Sequence, residues 1–198
     1  MDIRWSYFGV TDVFLESKAA WLKEERDLHD QSLHFFRLAG KLVSLSRDDY
    51  ELASLAFFQA IIGLERALRL HFAADETDKF AELLGRAVAE ETVTDAVFSD
   101  VRPLSDDLLK RIAEKVLPDA TFSIEAPLPD RLLSRVKNEA PTHSHALSIL
   151  VPKLRNQFVH GTYLLSPEYL HLTFQMREIA DALKTKHTRP AAHGNASW

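Results

Sequence analysis

Arg155, Asn156 and His160 stand within about two helical turns of one another in the run Leu-Arg-Asn-Gln-Phe-Val-His-Gly, residues 154–161. A guanidinium offers a phosphate a planar fork of donors. An imidazole moves a proton near neutral pH. RNA carries its own nucleophile, the 2′-hydroxyl. A histidine that takes or gives one proton, with an arginine that neutralises the pentavalent phosphorane, suffices for cleavage to a 2′,3′-cyclic phosphate without a metal or other cofactor. On an ideal helix Arg155 and His160 lie roughly 140° apart, whereas Asn156 and His160 share a face. Gly161 makes unwinding at this end plausible and would let the pair converge. The same residues have an ordinary reading. An arginine near a helix end pairs with an acid or with carbonyls, and His-Gly is a common helix terminus favoured by the dipole.

The elements that must position these groups are helical. Residues 1–10 are short and aromatic and read as an extended arm. Helical spacing of Trp21, Leu28, Phe35, Leu38, Leu42 and Leu45 predicts a long helix over about 14–45. Residues 46–49 break it and offer caps for a second, very apolar helix over about 49–73. Asp75 or Thr77 is the expected cap of a third, with Phe80, Leu83, Leu84, Ala87 and Val88 on one face. Prolines punctuate residues 92–141, where two short patterns, 106–117 and 129–137, suggest a helical insertion between core helices. A further helix carries Leu147, Leu150, Val151, Leu154 and Phe158 inward, with Pro152 predicted to kink or restart it. Ser166 and Pro167 open the last helix. The polar tail, 185–198, is expected to be disordered. Four long helices without a strand pair predict an all-α, up-and-down helical bundle, one domain over residues 1–184.

Composition limits the functions. The 198 residues, 46% of them hydrophobic, are enough for a substantial core. A formal net charge of -5 argues against a protein that coats nucleic acid, though not against an enzyme that touches a few phosphates. There is no cysteine, so disulfides and thiolate metal sites are excluded. No secretory leader and no membrane span are read from the sequence, and a soluble, cytoplasmic protein is expected. No helix carries enough lysine and arginine on one face for a DNA-reading regulator.

The run 154–161 resembles the signature of the HEPN superfamily, in which Arg, often Asn, and then His close the penultimate core helix. The apolar segment 57–69 also resembles an early core helix of that family. The resemblance covers residues 14–184 as architecture and is specific over Leu154–Gly161. It implies a helical bundle, a homodimer and a metal-independent endoribonuclease of toxin–antitoxin, phage-defence or RNA-processing type, with RNA as substrate and an antitoxin or other protein as a partner. It assigns catalysis to Arg155 and His160 and support to Asn156. Dimerisation would bring two motifs into one cleft and double its local positive charge. The alternative is a non-catalytic HEPN-like module that binds a nucleotide, RNA or a partner protein. One branch of the family has a tyrosine two residues after the histidine. Here it is three residues on, at Tyr163, so the modification linked to that tyrosine is not carried over.

Four other features bear on function. Glu65, on the most apolar helix, could orient His160 or pair with Arg155, or simply form a surface ion pair. His143 and His145 have no third ligand in sequence and read as polar surface rather than a metal site. His29 and His34 read as solvated. Trp5, Tyr7 and Phe8 could stack on bases, but packing on the body or on a second subunit is the stronger expectation. No glycine-rich phosphate loop or nucleophile elbow occurs.

Overall fold

The most apolar stretch of the chain forms its longest helix, Leu52–Phe72, and the bundle is built around it. The computed structural model describes residues 1–25, 28–101, 104–123, 126–161 and 166–184. In chain order the helices are α1 (Ile3–Tyr7), α2 (Asp12–Lys23), α3 (Asp30–Leu45), α4 (Leu52–Phe72), α5 (Phe80–Ala89), α6 (Asp106–Val116), α7 (Asp130–Glu139), α8 (His143–Val159) and α9 (Glu168–Lys184). A 3-10 turn, Asp95–Val97, lies between α5 and α6. No strand is present among the described residues, so the fold is all-α.

α4 packs against both α3 and α9, and α2 packs against α3. Leu15, Leu22, Phe36, Ile61, Leu64 and Leu68 meet there, each with no more than 1% of its surface exposed. Each such side chain contributes about 1.5–3 kcal/mol of hydrophobic stabilisation. Two close approaches fix the spacing. A Cβ at Gly40 would lie 2.7 Å from the Ala19 carbonyl oxygen, so glycine is what lets α3 reach α2. The Ser32 hydroxyl donates to the Gly63 carbonyl, and the Phe36 ring lies over Gly63.

The long helix expected over 14–45 is two helices. Arg177, fully buried on α9, donates to the carbonyls of Leu22 at 2.8 Å and Glu24 at 3.1 Å. It satisfies acceptors that an unbroken helix would use internally, and so serves as a C-cap delivered from another element. Asp181 neutralises its charge at 3.1 Å. Helical periodicity is the same on both sides of this break, so only the tertiary partner reveals it.

The N-terminal segment is also helical, not extended. Asp2 caps α1 by accepting from the Arg4 N–H at 2.9 Å. The Arg4 side chain, hydrogen-bonded to the same carboxylate, holds it well below the usual carboxylate range. Trp5 is fully buried, lies tilted against Tyr50 with ring centres 4.7 Å apart and donates to the Ser46 carbonyl. It is therefore a core residue and not a base-stacking platform. Tyr7 and Phe8 remain exposed. At the head of α5, Asp75 accepts from the Thr77 N–H in a turn that precedes the helix, while the cap position itself, Lys79, makes no side-chain capping bond and pairs with Glu82 instead.

The segment 92–141 contains the 3-10 turn, α6 and α7, close to the two patterns read from sequence. α6 packs on α7 and on α8. The tail 185–198 and Tyr163 lie outside the described residues.

Candidate functional site

α8 is the helix that carries the motif, and its two ends are fastened differently. At the start, the Thr142 hydroxyl accepts from the His145 N–H at 3.2 Å. Asp95, from the 3-10 turn, accepts from the N–H groups of His143 at 3.1 Å and Ser144 at 2.8 Å. Burial disfavours the Asp95 carboxylate, but these N–H donors outweigh it and hold its pKa below the ordinary value. The helix runs through Pro152 to Val159 without restarting. Pro152 removes one helical hydrogen bond, three residues before Arg155.

The C-terminal half of α8 is positioned by aromatic packing. Phe158 stacks on Phe58 at 5.6 Å and meets Phe57 and Tyr169 edge-on. Phe57 in turn stacks on Tyr169 at 5.1 Å. This cluster joins α8 to α4 and α9 and sets the rotation of α8 about its axis. Arg155 consequently faces α4, where its guanidinium lies 3.4 Å from Glu65. Glu65 also receives Arg69 at 2.9 Å, one turn further along α4. Arg69 donates in addition to the carbonyls of Asp75 and Asp78. Glu65 and Arg69 are mostly covered, with 16% and 17% of their side chains exposed, while Arg155 keeps 37%. Arg69 is thus locked, and among the described residues Arg155 is held by one long contact.

His160 is the residue that caps α8. Its N–H donates to the Asn156 carbonyl at 3.0 Å, and the chain then turns left-handed at Gly161, where φ is 68°. The His160 ring is exposed and has no hydrogen-bond partner among the described residues. The Asn156 amide is likewise exposed and forms no hydrogen bond among the described residues. Of the four residues singled out in sequence, the structure brings Arg155 and Glu65 together. Among the described residues no hydrogen bond or ion pair joins the side chain of Asn156 or His160 to either. The helical ladder persists to His160, so the unwinding expected at Gly161 does not begin before the histidine. Within one chain the two functional groups stay on different sides of the helix end, about 140° apart.

His160 lies closer in azimuth to Lys153 and Gln157, roughly 20° and 60° away. Gln157 accepts from Arg111 on α6 at 2.6 Å, and Lys153 donates to the Arg111 carbonyl at 3.1 Å and pairs with Glu114. Sequence reasoning missed Arg111. Its only signal was its i, i+4 position relative to Asp107, to which it donates at 2.9 Å, and that pattern marks any salt-bridged helix.

His143 and His145 have different partners. His143 meets Gln175 at 2.8 Å, and His145 meets Thr142. Among the described residues no set of three histidine or acidic side chains could hold an ion. His34 is exposed, and His29 caps α3 by accepting from the Gln31 N–H. No helix among the described residues is long and apolar enough to cross a membrane. No family model, no curated protein and no solved structure matches this chain.

Proposed function

We propose that the protein is a HEPN-like, metal-independent endoribonuclease whose cleft forms between two copies of the chain. One observation carries this reading: two groups competent for phosphodiester chemistry finish the same helix, and both are open to solvent. Among the described residues Arg155 has one long contact to give up for a phosphate, and the His160 ring makes no hydrogen bond. Their separation of about 140° on one helix supports a composite site, in which Arg155 of one chain and His160 of the other act on one phosphate. His160 is then the general acid or base and Arg155 the transition-state ligand. Asn156 lines the cleft through its free amide. Glu65 is a positioning residue that aims Arg155.

The test uses mixed RNA with the wild-type chain, Arg155→Ala and His160→Ala, each with and without EDTA. Each single variant should lose cleavage, and EDTA should leave the wild type active. Mixing the two inactive variants should restore part of the activity, because a heterodimer keeps one complete composite site. Cleavage by both variants, or its loss with EDTA, rejects the proposal. Loss in each variant without rescue on mixing rejects the shared cleft.

The Glu65–Arg155 contact favours a second reading, a non-catalytic module in which the arginine is structural. That reading gains if no RNA is cut at high protein concentration.

A further inference from the structure

Positive charge is gathered at one place in a chain whose formal net charge is -5. His34, Arg37 and Lys41 stand three, four and seven residues apart on α3, within about 100° of arc and about 10 Å of axis. Lys23, the last residue of α2, meets them from the neighbouring helix. These four residues and Leu38 line a groove of about 270 Å³.

The fold holds Lys23 in this place. Gly40 brings α3 against α2, and a Cβ there would lie 3.0 Å from Lys23 Cγ. The stem of Lys23 therefore lies across α3 at Gly40, with Arg37 one turn before that crossing and Lys41 directly after it. Arg177 donates to the carbonyls of Leu22 and Glu24, which fixes the end of α2 that carries Lys23. The stem is packed while the residue stays exposed, so its ammonium is presented to solvent.

Such crowding is unfavourable in itself. Arg37 and Lys41 are an i, i+4 like-charge pair, which weakens a helix. Lys23 adds a third cation. Among the described residues Glu25 is the acid that pairs with them, on Arg37. The two side chains of that pair are 76% and 43% exposed, so the pair is worth little and yields to a stronger anion. Lys23 and Lys41 are exposed and form no ion pair among the described residues. Arg26 and Asp27 lie outside the described residues and carry opposite charges, so they leave the formal sum unchanged.

The arrangement narrows the ligand. Cations from two helices face one small volume, so a compact anion of several charges meets them together. A single phosphate would leave part of this charge unanswered. The groove is slightly smaller than the pockets that take drug-sized molecules, which suits an ion more than a whole nucleotide. The Arg37 fork matches phosphate oxygens, and the lysines add point charges.

We propose that the groove between α2 and α3 binds a compact oligophosphate group, held by Lys23, Arg37 and Lys41 with His34 at its edge. The site does not depend on the nuclease reading. α8, which carries the motif, packs on α4, α5 and α6.

The probes are tripolyphosphate and inorganic phosphate, titrated into the full chain by calorimetry at about 0.05 M salt. Tripolyphosphate should bind at one site per chain, at least about tenfold more tightly than inorganic phosphate. Lys41→Glu should weaken it at least about tenfold and Lys23→Ala at least about threefold. Both positions are exposed, so the melting temperature should change little. Lys137→Ala removes a charge from the exposed face of α7 and should bind as the wild type does. Arg155→Ala and His160→Ala should too, whether or not RNA is cleaved. Two RNA oligonucleotides of one sequence identify the source of the phosphates. Displacement of tripolyphosphate by the 5′-triphosphate form alone assigns the site to a chain end, and displacement by neither form assigns it to a free oligophosphate. Displacement by the 5′-hydroxyl form means that the groove reads backbone phosphates, and it overturns the proposal. So does equal affinity for inorganic phosphate, unchanged affinity in Lys41→Glu, or an equal loss in Lys137→Ala.

Discussion

The two ends of α8 are fastened differently. The N-terminal end is fastened by polar groups: Thr142 and Asp95 take up its free N–H groups, and His143 is tied to the buried Gln175. The C-terminal end is fastened on one side by rings, through Phe158 against Phe57, Phe58 and Tyr169, and on another by Gln157 and Lys153 bonded to α6. The two groups of the motif are spent lightly, Arg155 on a 3.4 Å contact to Glu65 and the ring of His160 on nothing among the described residues. The difference separates jobs. Hydrogen bonds that hold a helix cannot also meet a substrate. Packing that holds it from the apolar side leaves guanidinium and imidazole available. A helix end secured by rings and by the bonds of Gln157 and Lys153 can therefore offer Arg155 and His160 to chemistry without losing its place.

The largest expected effect tests the polar end. Asp95→Ala removes two charge-assisted N–H bonds to α8 and should cost about 2 kcal/mol, read by urea unfolding. This contribution has a definite pH dependence. The Asp95 pKa is lowered in the fold, because backbone donors outweigh the desolvation that opposes them. Its stabilisation is therefore complete above the unfolded aspartate pKa and is lost as pH falls through the folded one. The gap between wild type and Asp95→Asn should close on acidification. A gap that stays constant to low pH would show that the carboxylate is not what fastens this end.

Next comes the contact between α4 and α8. Glu65→Gln removes the charge shared by Arg69 and Arg155 and leaves two guanidinium groups facing each other. A loss of about 1 kcal/mol is expected, smaller than for a fully buried pair because Arg155 is partly in water. If Glu65 aims Arg155, the same variant should also alter RNA cleavage by changing kcat more than KM. An unchanged kcat with reduced stability would reduce Glu65 to a structural partner.

Much of this contrast was legible in sequence because it is local. The apolar stripes of α5 and α8, the two short helices in 92–141, and the glycine that ends α8 all follow from periodicity and cap chemistry. Glu65 was legible as an acid on an apolar helix, and its pairing with Arg155 was one of the outcomes considered. The break in the long helix was not legible. It depends on Arg177, more than 150 residues away in the chain, reaching the carbonyls of Leu22 and Glu24. The same holds for Asp95, whose role as a cap belongs to a helix 48 residues further on. The helicity of residues 3–7 was missed for a smaller reason. One cap at Asp2 and one buried indole at Trp5 decide it, and five residues are too few for a periodic signal. The relation of Arg155 to His160 was half legible. Their azimuths follow from an intact helix, but only coordinates show that it stays intact as far as His160.

Smaller effects belong to the C-terminal end. Gly161 holds φ of 68°, and a Cβ there would meet nothing within 4 Å, so Gly161→Ala suffers only the backbone penalty. A cost of about 1 kcal/mol is expected. If the left-handed turn presents His160 to substrate, cleavage should fall further than stability does. Equal losses would mean that the turn matters only for the fold.

The smallest expected stability change carries the most functional weight. His160→Ala removes an exposed ring that makes no hydrogen bond among the described residues, so urea unfolding should move by less than about 0.5 kcal/mol. An alanine keeps the backbone N–H that donates to Asn156, so the cap survives. Any loss of RNA cleavage in this variant then cannot be attributed to a damaged fold. The replacement His160→Gln sharpens the point, because it keeps a polar side chain but no titratable nitrogen. Were proton transfer the role of His160, both variants would be inactive. Activity retained by glutamine alone would assign His160 to substrate binding and move the general acid or base elsewhere, with Lys153 the nearest cation by azimuth on the same side of α8.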